Sequence, residues 1–105
     1  MPKINFTQQE RILISHVIRE TLNPGKHHFW KSQLPESLYR MHIAVINDLT
    51  DKNFRELDRK DFIIKLDLHE CMAIFFALDT LFVYLLSDST RMASRLAMEK
   101  IWKAK

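Results

Sequence analysis

Glycine is almost absent from this sequence, which has a single glycine, Gly25, among its 105 residues. The phosphate-binding loops of nucleotide-dependent enzymes need two or three glycines in close succession, so these loops are excluded. A fold with many tight turns between strands is disfavoured as well, because such turns depend on glycine. Cysteine is also limited to one residue, Cys71, which cannot form an intramolecular disulfide. We therefore expect Cys71 to pack as a small apolar side chain in a reducing, cytoplasmic compartment.

The sequence lacks any apolar run long enough to cross a bilayer. Its most apolar stretch, residues 71–86, carries Asp79 near the middle and is shorter than the roughly 20 residues that a membrane-spanning helix needs. Residues 1–8 show no secretion signal, and no linker, low-complexity tract or internal repeat is evident. Two domains within 105 residues would each be too small to bury a core. We predict a single helical domain over residues 1–105.

Apolar residues at helical spacing predict four helices, and the fold class is therefore all-α, a compact bundle-like arrangement of four helices. Two of them begin with a capping-box pattern, in which a small polar residue is followed three positions later by glutamate. These patterns are Thr7 with Glu10 and Asp67 with Glu70. The predicted helices run from Thr7 to about Leu22, from Pro35 to about Thr50, from Leu68 to about Leu86, and from about Thr90 to Trp102.

The connections between these helices are less regular. Residues 26–34 are aromatic and basic without a clear period, and residues 51–61, which include Phe54 and Leu57, read as a charged loop or a short exposed helix. Residues 62–66 fit either a short strand or an extended approach to the third helix. A strand there would need residues 27–31 or a second chain as its partner.

One carboxylate interrupts the apolar face of the third helix. On a helical wheel Asp79 lies among large apolar residues, and His42 lies likewise at the centre of the apolar face of the second helix. A buried carboxylate is costly unless it is paired, so we expect Asp79 to have a partner. His42 is the first candidate, and a structural pair is favoured over an acid–base dyad or a pH switch. The other candidates are Arg40, Arg91, Arg95 and His16.

Two groups of residues are candidates for contact with a partner. Phe29 and Trp30 could insert into a partner or stack on a base, although sealing the end of the core is the favoured interpretation. Small residues on the third helix form a ridge on which a second helix could pack closely, and self-packing of this ridge would give a two-fold dimer. The ridge consists of Ala73, Ala77 and Thr80, on a narrow arc that also holds Tyr84.

The positive charge is concentrated at the end of the chain. Residues 89–105 hold five basic residues against Glu99, a sum of +4, which leaves −1 for the rest of a chain with net charge +3. Nucleic-acid binding would therefore depend on this last helix alone. The other interpretation is a solvated terminal helix. The five basic residues are Arg91, Arg95, Lys100, Lys103 and Lys105.

No constellation of side chains indicates catalysis or a cofactor. The five histidines show no metal-ligand spacing, and the adjacent pair His27 and His28 is poorly placed to converge on one ion. We therefore predict no metal, no cofactor, no small-molecule substrate and no enzyme activity. The leading hypothesis is a helical interaction module, such as a regulator, inhibitor or adaptor, that binds a protein partner. The alternative hypothesis is a nucleic-acid-binding regulator that uses the basic last helix.

Overall fold

A computed structural model describes residues 3–52, 62–84 and 87–104 of the chain. Within these ranges the fold is mainly helical with one small sheet, which confirms the predicted class. The described elements, in chain order, are β1 (Lys3–Phe6), α1 (Gln8–Leu22), a 3-10 turn (Pro24–Lys26), α2 (His27–Gln33), α3 (Glu36–Thr50), β2 (Phe62–Lys65), α4 (Leu68–Leu81), a second 3-10 turn (Phe82–Tyr84) and α5 (Asp88–Ala104).

The four predicted helices correspond to α1, α3, α4 and α5, with changes at their ends. Pro35 precedes α3 as its N-cap, α4 ends at Leu81 rather than near Leu86, and α5 begins at Asp88 rather than Thr90. The irregular connection predicted for residues 26–34 is wrong in part, because His27–Gln33 form the short helix α2. The prediction for residues 51–61 falls almost entirely outside the described residues, which here include only Asp51 and Lys52.

Residues 62–65 do form a strand, but with a partner that the sequence did not suggest. β2 pairs in antiparallel orientation with β1, at the start of the chain, and Ile4 lies opposite Ile64. The expectation of residues 27–31 or a second chain as the partner is therefore wrong. The side chains of Ile4, Phe6, Ile64 and Leu66 point into the core, so this small sheet closes one end of the helices.

Both predicted capping boxes are present. The backbone N–H of Glu10 donates to Thr7 Oγ1 at 3.2 Å, and the backbone N–H of Thr7 donates to Glu10 Oε1 at 2.8 Å. Asp67 and Glu70 make the same two bonds at 2.7 and 3.0 Å. Each box satisfies backbone groups at the start of a helix that the helix itself leaves without partners.

Each capping glutamate is also bound by a distant lysine. Lys100 of α5 donates to Glu10 and, at 2.9 Å, to the carbonyl oxygen of Asn5 in β1. Lys52, just after α3, donates to Glu70 at 3.1 Å and to the carbonyl oxygen of Lys65 in β2 at 2.7 Å. We call these two arrangements the Glu–Lys clamps, since each joins a strand end, a helix start and a third element.

The clamps are part of an internal repeat, which corrects the expectation that the sequence has none. Residues 4–22 and residues 64–82 are equivalent at an offset of sixty positions, the separation of Thr7 from Asp67. Lys52 and Lys100 give an offset of forty-eight between α3 and α5. Eight buried positions match, namely Ile4, Phe6, Glu10, Arg11, Leu13, Ile14, Val17 and Ile18 against Ile64, Leu66, Glu70, Cys71, Ala73, Ile74, Ala77 and Leu78. The exception is Thr21, which is buried and corresponds to the half-buried Leu81.

The described chain thus consists of two β-α-α units with pseudo-two-fold symmetry. Because Ile4 pairs with its own equivalent, Ile64, the symmetry axis passes between these two residues. Helices α1 and α4 pack against each other, and each also packs against both α3 and α5. The units differ in one main respect, which is that the first has α2 inserted between its two long helices.

Candidate functional site

Asp79 is exposed, so the predicted buried pair of His42 and Asp79 is wrong. The buried face of α4 is a different one, and it consists of Glu70, Cys71, Ala73, Ile74, Ala77 and Leu78. Asp79 lies on the opposite side of the helix and needs no partner there. His42 is buried, as predicted, with 7% of its surface exposed.

His42 lies among aromatic rings rather than beside a carboxylate. The centroid of its ring is 5.9 Å from that of Trp30 and 5.2 Å from that of Phe76. Its Nε2 atom is buried and has no hydrogen-bond partner among the described residues. Burial in this apolar environment disfavours the charged imidazolium, and it lowers the pKa of His42 from 6.5 to about 4.

The small-residue ridge predicted on α4 is not a surface. Ala73 is 6% exposed and Ala77 is fully buried, while Thr80 is half-buried. Both alanines belong to the core that α4 forms with α1, α3 and α5, which is an intramolecular role. The proposed use of Ala73 and Ala77 as a dimer contact is therefore wrong.

The aromatic residues divide into one core residue and two at the surface. Trp30 is 1% exposed, and its Nε1–H donates to the carbonyl oxygen of Glu20 at 3.3 Å, so it seals the core as favoured. Phe29 is half-buried and lies 5.9 Å, centroid to centroid, from Tyr84. Tyr84 is 60% exposed and remains available to a partner.

The basic residues of α5 have partners within the chain. Two of them form ion pairs: a guanidinium nitrogen of Arg91 is 3.6 Å from a carboxylate oxygen of Asp88, and Lys103 Nζ is 2.7 Å from Glu99 Oε1. The guanidinium of Arg95 lies over an aromatic ring, 5.3 Å from the centroid of Phe82. The bond to Lys103 lowers the pKa of Glu99. Lys100 is the most committed, because it belongs to a Glu–Lys clamp. Lys105 lies outside the described residues.

An open groove lies between α1 and α5. It has a volume of about 580 Å³. One wall is formed by α1 and the other by α5, with Tyr84 at one end. We call it the α1–α5 groove and define it by Ile12, His16, Arg19, Tyr84, Thr90 and Ala93.

Two smaller cavities extend this groove in opposite directions. One shares Gln9 and Ala93 with it and continues past Met92 and Leu96. The other shares His16 and Tyr84 with it and reaches the aromatic residues of α2. The open surface therefore follows the α1–α5 seam and ends beside α2.

Sequence reasoning misses this groove. The one sequence signal for it is that the apolar residues of the last helix are spread around its circumference instead of forming one face. Met92 is 57% exposed and Leu96 is 44% exposed, while Ala97 and Ile101 are buried. Such a spread indicates a helix with a buried face and a second, exposed apolar face.

The described ranges, 3–52, 62–84 and 87–104, contain no group of three or more histidine, cysteine or carboxylate side chains that could hold a metal ion. No helix within them is both long and apolar enough to cross a membrane. Comparisons of the chain with protein-family models, with curated proteins and with solved structures gave no match.

Proposed function

We propose that this protein is a non-catalytic interaction module, a regulator, inhibitor or adaptor, that binds a segment of a protein partner in the α1–α5 groove. The observation that carries the proposal is the exposed apolar surface along the seam. Ile12 is 46% exposed, Tyr84 60%, Met92 57% and Leu96 44%. Contiguous exposed apolar side chains beside polar groups are typical of protein-binding surfaces.

The chemistry of the groove supports a peptide ligand. Its floor and rim combine apolar side chains with hydroxyl groups from Ser87, Ser89 and Thr90 and with the imidazole of His16. An aromatic or aliphatic side chain can be buried in such a groove while the polar rim bonds to the backbone or polar groups of the ligand. We also propose a cytoplasmic location, because the sole cysteine, Cys71, is buried and has no second cysteine for an intramolecular disulfide.

Nucleic-acid binding through α5 is the alternative, and it has less support. The basic residues of α5 lie beside acidic or aromatic groups, and Lys100 is held by a nearly buried carboxylate. Phosphate would have to compete with these contacts.

The test compares two glutamate substitutions at equally exposed residues. Ile12→Glu puts a charge in the groove, and Leu38→Glu puts one on α3, where 45% of the side chain is exposed. The tagged full chain and both variants are used to capture partners from cell extract, and the captured partner is then purified. Binding is measured by calorimetry at two salt concentrations.

We expect the purified partner to bind the wild type and Leu38→Glu with similar Kd. For Ile12→Glu the Kd should rise at least tenfold, since a buried anchor contact is replaced by a charge. Equal Kd values for all three proteins would refute the groove as the binding site. Captured nucleic acid that is lost on Arg95→Glu and at high salt would instead support the alternative function.

A further inference from the structure

The position of α2 in the first unit corresponds, among the described residues, to the α1–α5 groove of the second unit. In the first unit Trp30 is inserted between the long helices, with its ring centroid 5.9 Å from that of His42 on α3 and 6.2 Å from that of Phe76 on α4. Trp30 also donates to Glu20 of α1, so the α2 segment acts as an aromatic wedge whose tryptophan contacts α1, α3 and α4.

The internal repeat locates the equivalent position in the second unit. The offset of forty-eight takes His42 to Thr90, and the offset of sixty takes Phe76 back to His16. Thr90 and His16 both line the α1–α5 groove. Among its described residues, 82–84 and 87, the connection from α4 to α5 has a 3-10 turn and no helix equivalent to α2.

The charges beside the two sites have opposite signs. Lys31 lies on the wedge of the first unit, and Lys26 directly precedes it. Beside this wedge, the residue of α4 that corresponds to Arg19 of α1 is Asp79, which is exposed. The α1–α5 groove has Arg19 at the equivalent position. Among the described residues that line this groove, Arg19 is the one with a formal charge. The groove is thus suited to a segment with acidic rather than basic flanks.

We propose that the α1–α5 groove binds a short helical segment of a partner protein that carries a central aromatic anchor and acidic flanking residues. The anchor takes the place that Trp30 takes in the first unit, and the acidic residues lie near Arg19. This inference rests on the proposed function and specifies its ligand. A second copy of this chain is disfavoured as the occupant, because the α2 segment that it would offer is basic.

The volume of the groove agrees with such an anchor. At about 580 Å³ the open groove has room for one aromatic side chain and the residues beside it. Tryptophan and tyrosine are the residues that most often dominate binding when they fill a pocket of this kind. The acidic flanks contribute less, because charges at a solvated rim affect selectivity more than affinity.

The experiment uses peptides derived from α2 as probes for the full-length protein. The first probe is a fluorescent peptide of residues 23–35 that carries Lys26→Glu and Lys31→Glu. The second is the unaltered, basic peptide, and the third is the acidic peptide with Trp30→Ala. Binding is measured by fluorescence anisotropy, and the bound site is mapped by NMR shifts of the isotope-labelled protein.

We expect the acidic peptide to bind about tenfold or more tightly than its Trp30→Ala version and about threefold more tightly than the basic peptide. The NMR shifts should centre on Ile12, His16 and Thr90. Arg19→Glu should abolish the preference for acidic flanks, whereas Arg40→Glu, at an exposed arginine on α3, should retain it. Equal binding of the acidic and Trp30→Ala peptides, or shifts centred on His42 and Phe76, would overturn the proposal.

The outcomes separate this inference from the proposed function. If Ile12→Glu weakens binding of a purified partner whose bound segment has no aromatic anchor, the inference on the ligand fails and the proposed function stands. If the acidic peptide causes no shift in the groove and Ile12→Glu leaves partner binding unchanged, both fail.

Discussion

Protonation of His42 should destabilise the fold in mildly acidic solution. The ring of His42 is buried against Trp30 and Phe76, and no described residue accepts a hydrogen bond from its Nε2 atom. Burial lowers its pKa from 6.5 to about 4. The unfolded chain thus binds a proton at His42 at a higher pH than the folded protein does.

The sign and size of the effect follow from proton linkage. Between pH 6.5 and 4 the unfolded state carries more protons at this site, so the free energy of unfolding falls as the pH is lowered. The stabilisation by neutral His42 is fully present above pH 6.5 and is lost through this window. A shift of this size corresponds to about 3 kcal/mol in total, of which about 2 kcal/mol is lost between pH 7.5 and pH 5.

Urea unfolding followed by tryptophan fluorescence at pH 7.5 and pH 5 measures this loss. His42→Phe keeps a ring between Trp30 and Phe76 without a titrating group, so its loss of stability between the two pH values should be about 2 kcal/mol smaller than that of the wild type. The matched control, His69→Gln at an exposed position of α4, should behave as the wild type does.

Two results would refute this reasoning. One is an equal loss of stability in the wild type and in His42→Phe. The other is an NMR titration of the wild type in which the imidazole of His42 has its midpoint near 6.5, a measurement that does not depend on whether the variant folds.

Three further predictions concern the free energy of unfolding at neutral pH. Lys100→Met should lower it by about 3 kcal/mol, because the carboxylate of Glu10 is 1% exposed and would lose its cation. The control, Lys103→Met, removes an exposed ion pair with Glu99 and should leave the free energy of unfolding nearly unchanged. Trp30→Ala should lower it by about 4 kcal/mol, because it empties a buried site. Thr7→Ala should lower it by about 1 kcal/mol, through loss of the cap to Glu10. Urea titration checks all three, and a cost for Lys100→Met no greater than that for Lys103→Met would contradict the first.

The starts of α1 and α4 could be predicted because they depend on local chemistry. Thr7 with Glu10 and Asp67 with Glu70 each form a box of four successive positions, and the structure shows both boxes. The strand pairing could not be predicted in this way. Lys3–Phe6 is polar at alternate positions and short, and its pairing with Phe62–Lys65 depends on contacts across the whole chain.

The orientation of α4 could not be predicted because nearly all of its circumference is apolar. A wheel that ranks residues by hydrophobicity turns the large side chains inward, and that rule places Asp79 in the core. In the structure the small side chains of Ala73 and Ala77 are buried in the core, where α4 packs against three other helices. Glu70 is also drawn inward by the cap and by Lys52.

The internal repeat is preserved in burial rather than in residue identity. Across the equivalent segments 4–22 and 64–82, the identical pairs are Ile4 with Ile64, Glu10 with Glu70, and Ile14 with Ile74. These pairs mark a strand position, a capping glutamate and a core position. The inserted α2 also changes the spacing of the second half of each unit, so no single offset aligns the whole chain.

The repeat also predicts that side chains of the groove can be altered without loss of the fold. Ile12 and His16 correspond to Met72 and Phe76, so the two units use different side chains at equivalent positions on their first helices. The clamps at the strand ends are the same in both units. We therefore expect Ile12→Glu to change the free energy of unfolding by less than about 0.5 kcal/mol, as is usual for surface sites. Thermal and urea unfolding test this expectation, and a loss of 2 kcal/mol or more would mean that Ile12 stabilises the core and that weaker partner binding could not be assigned to the groove.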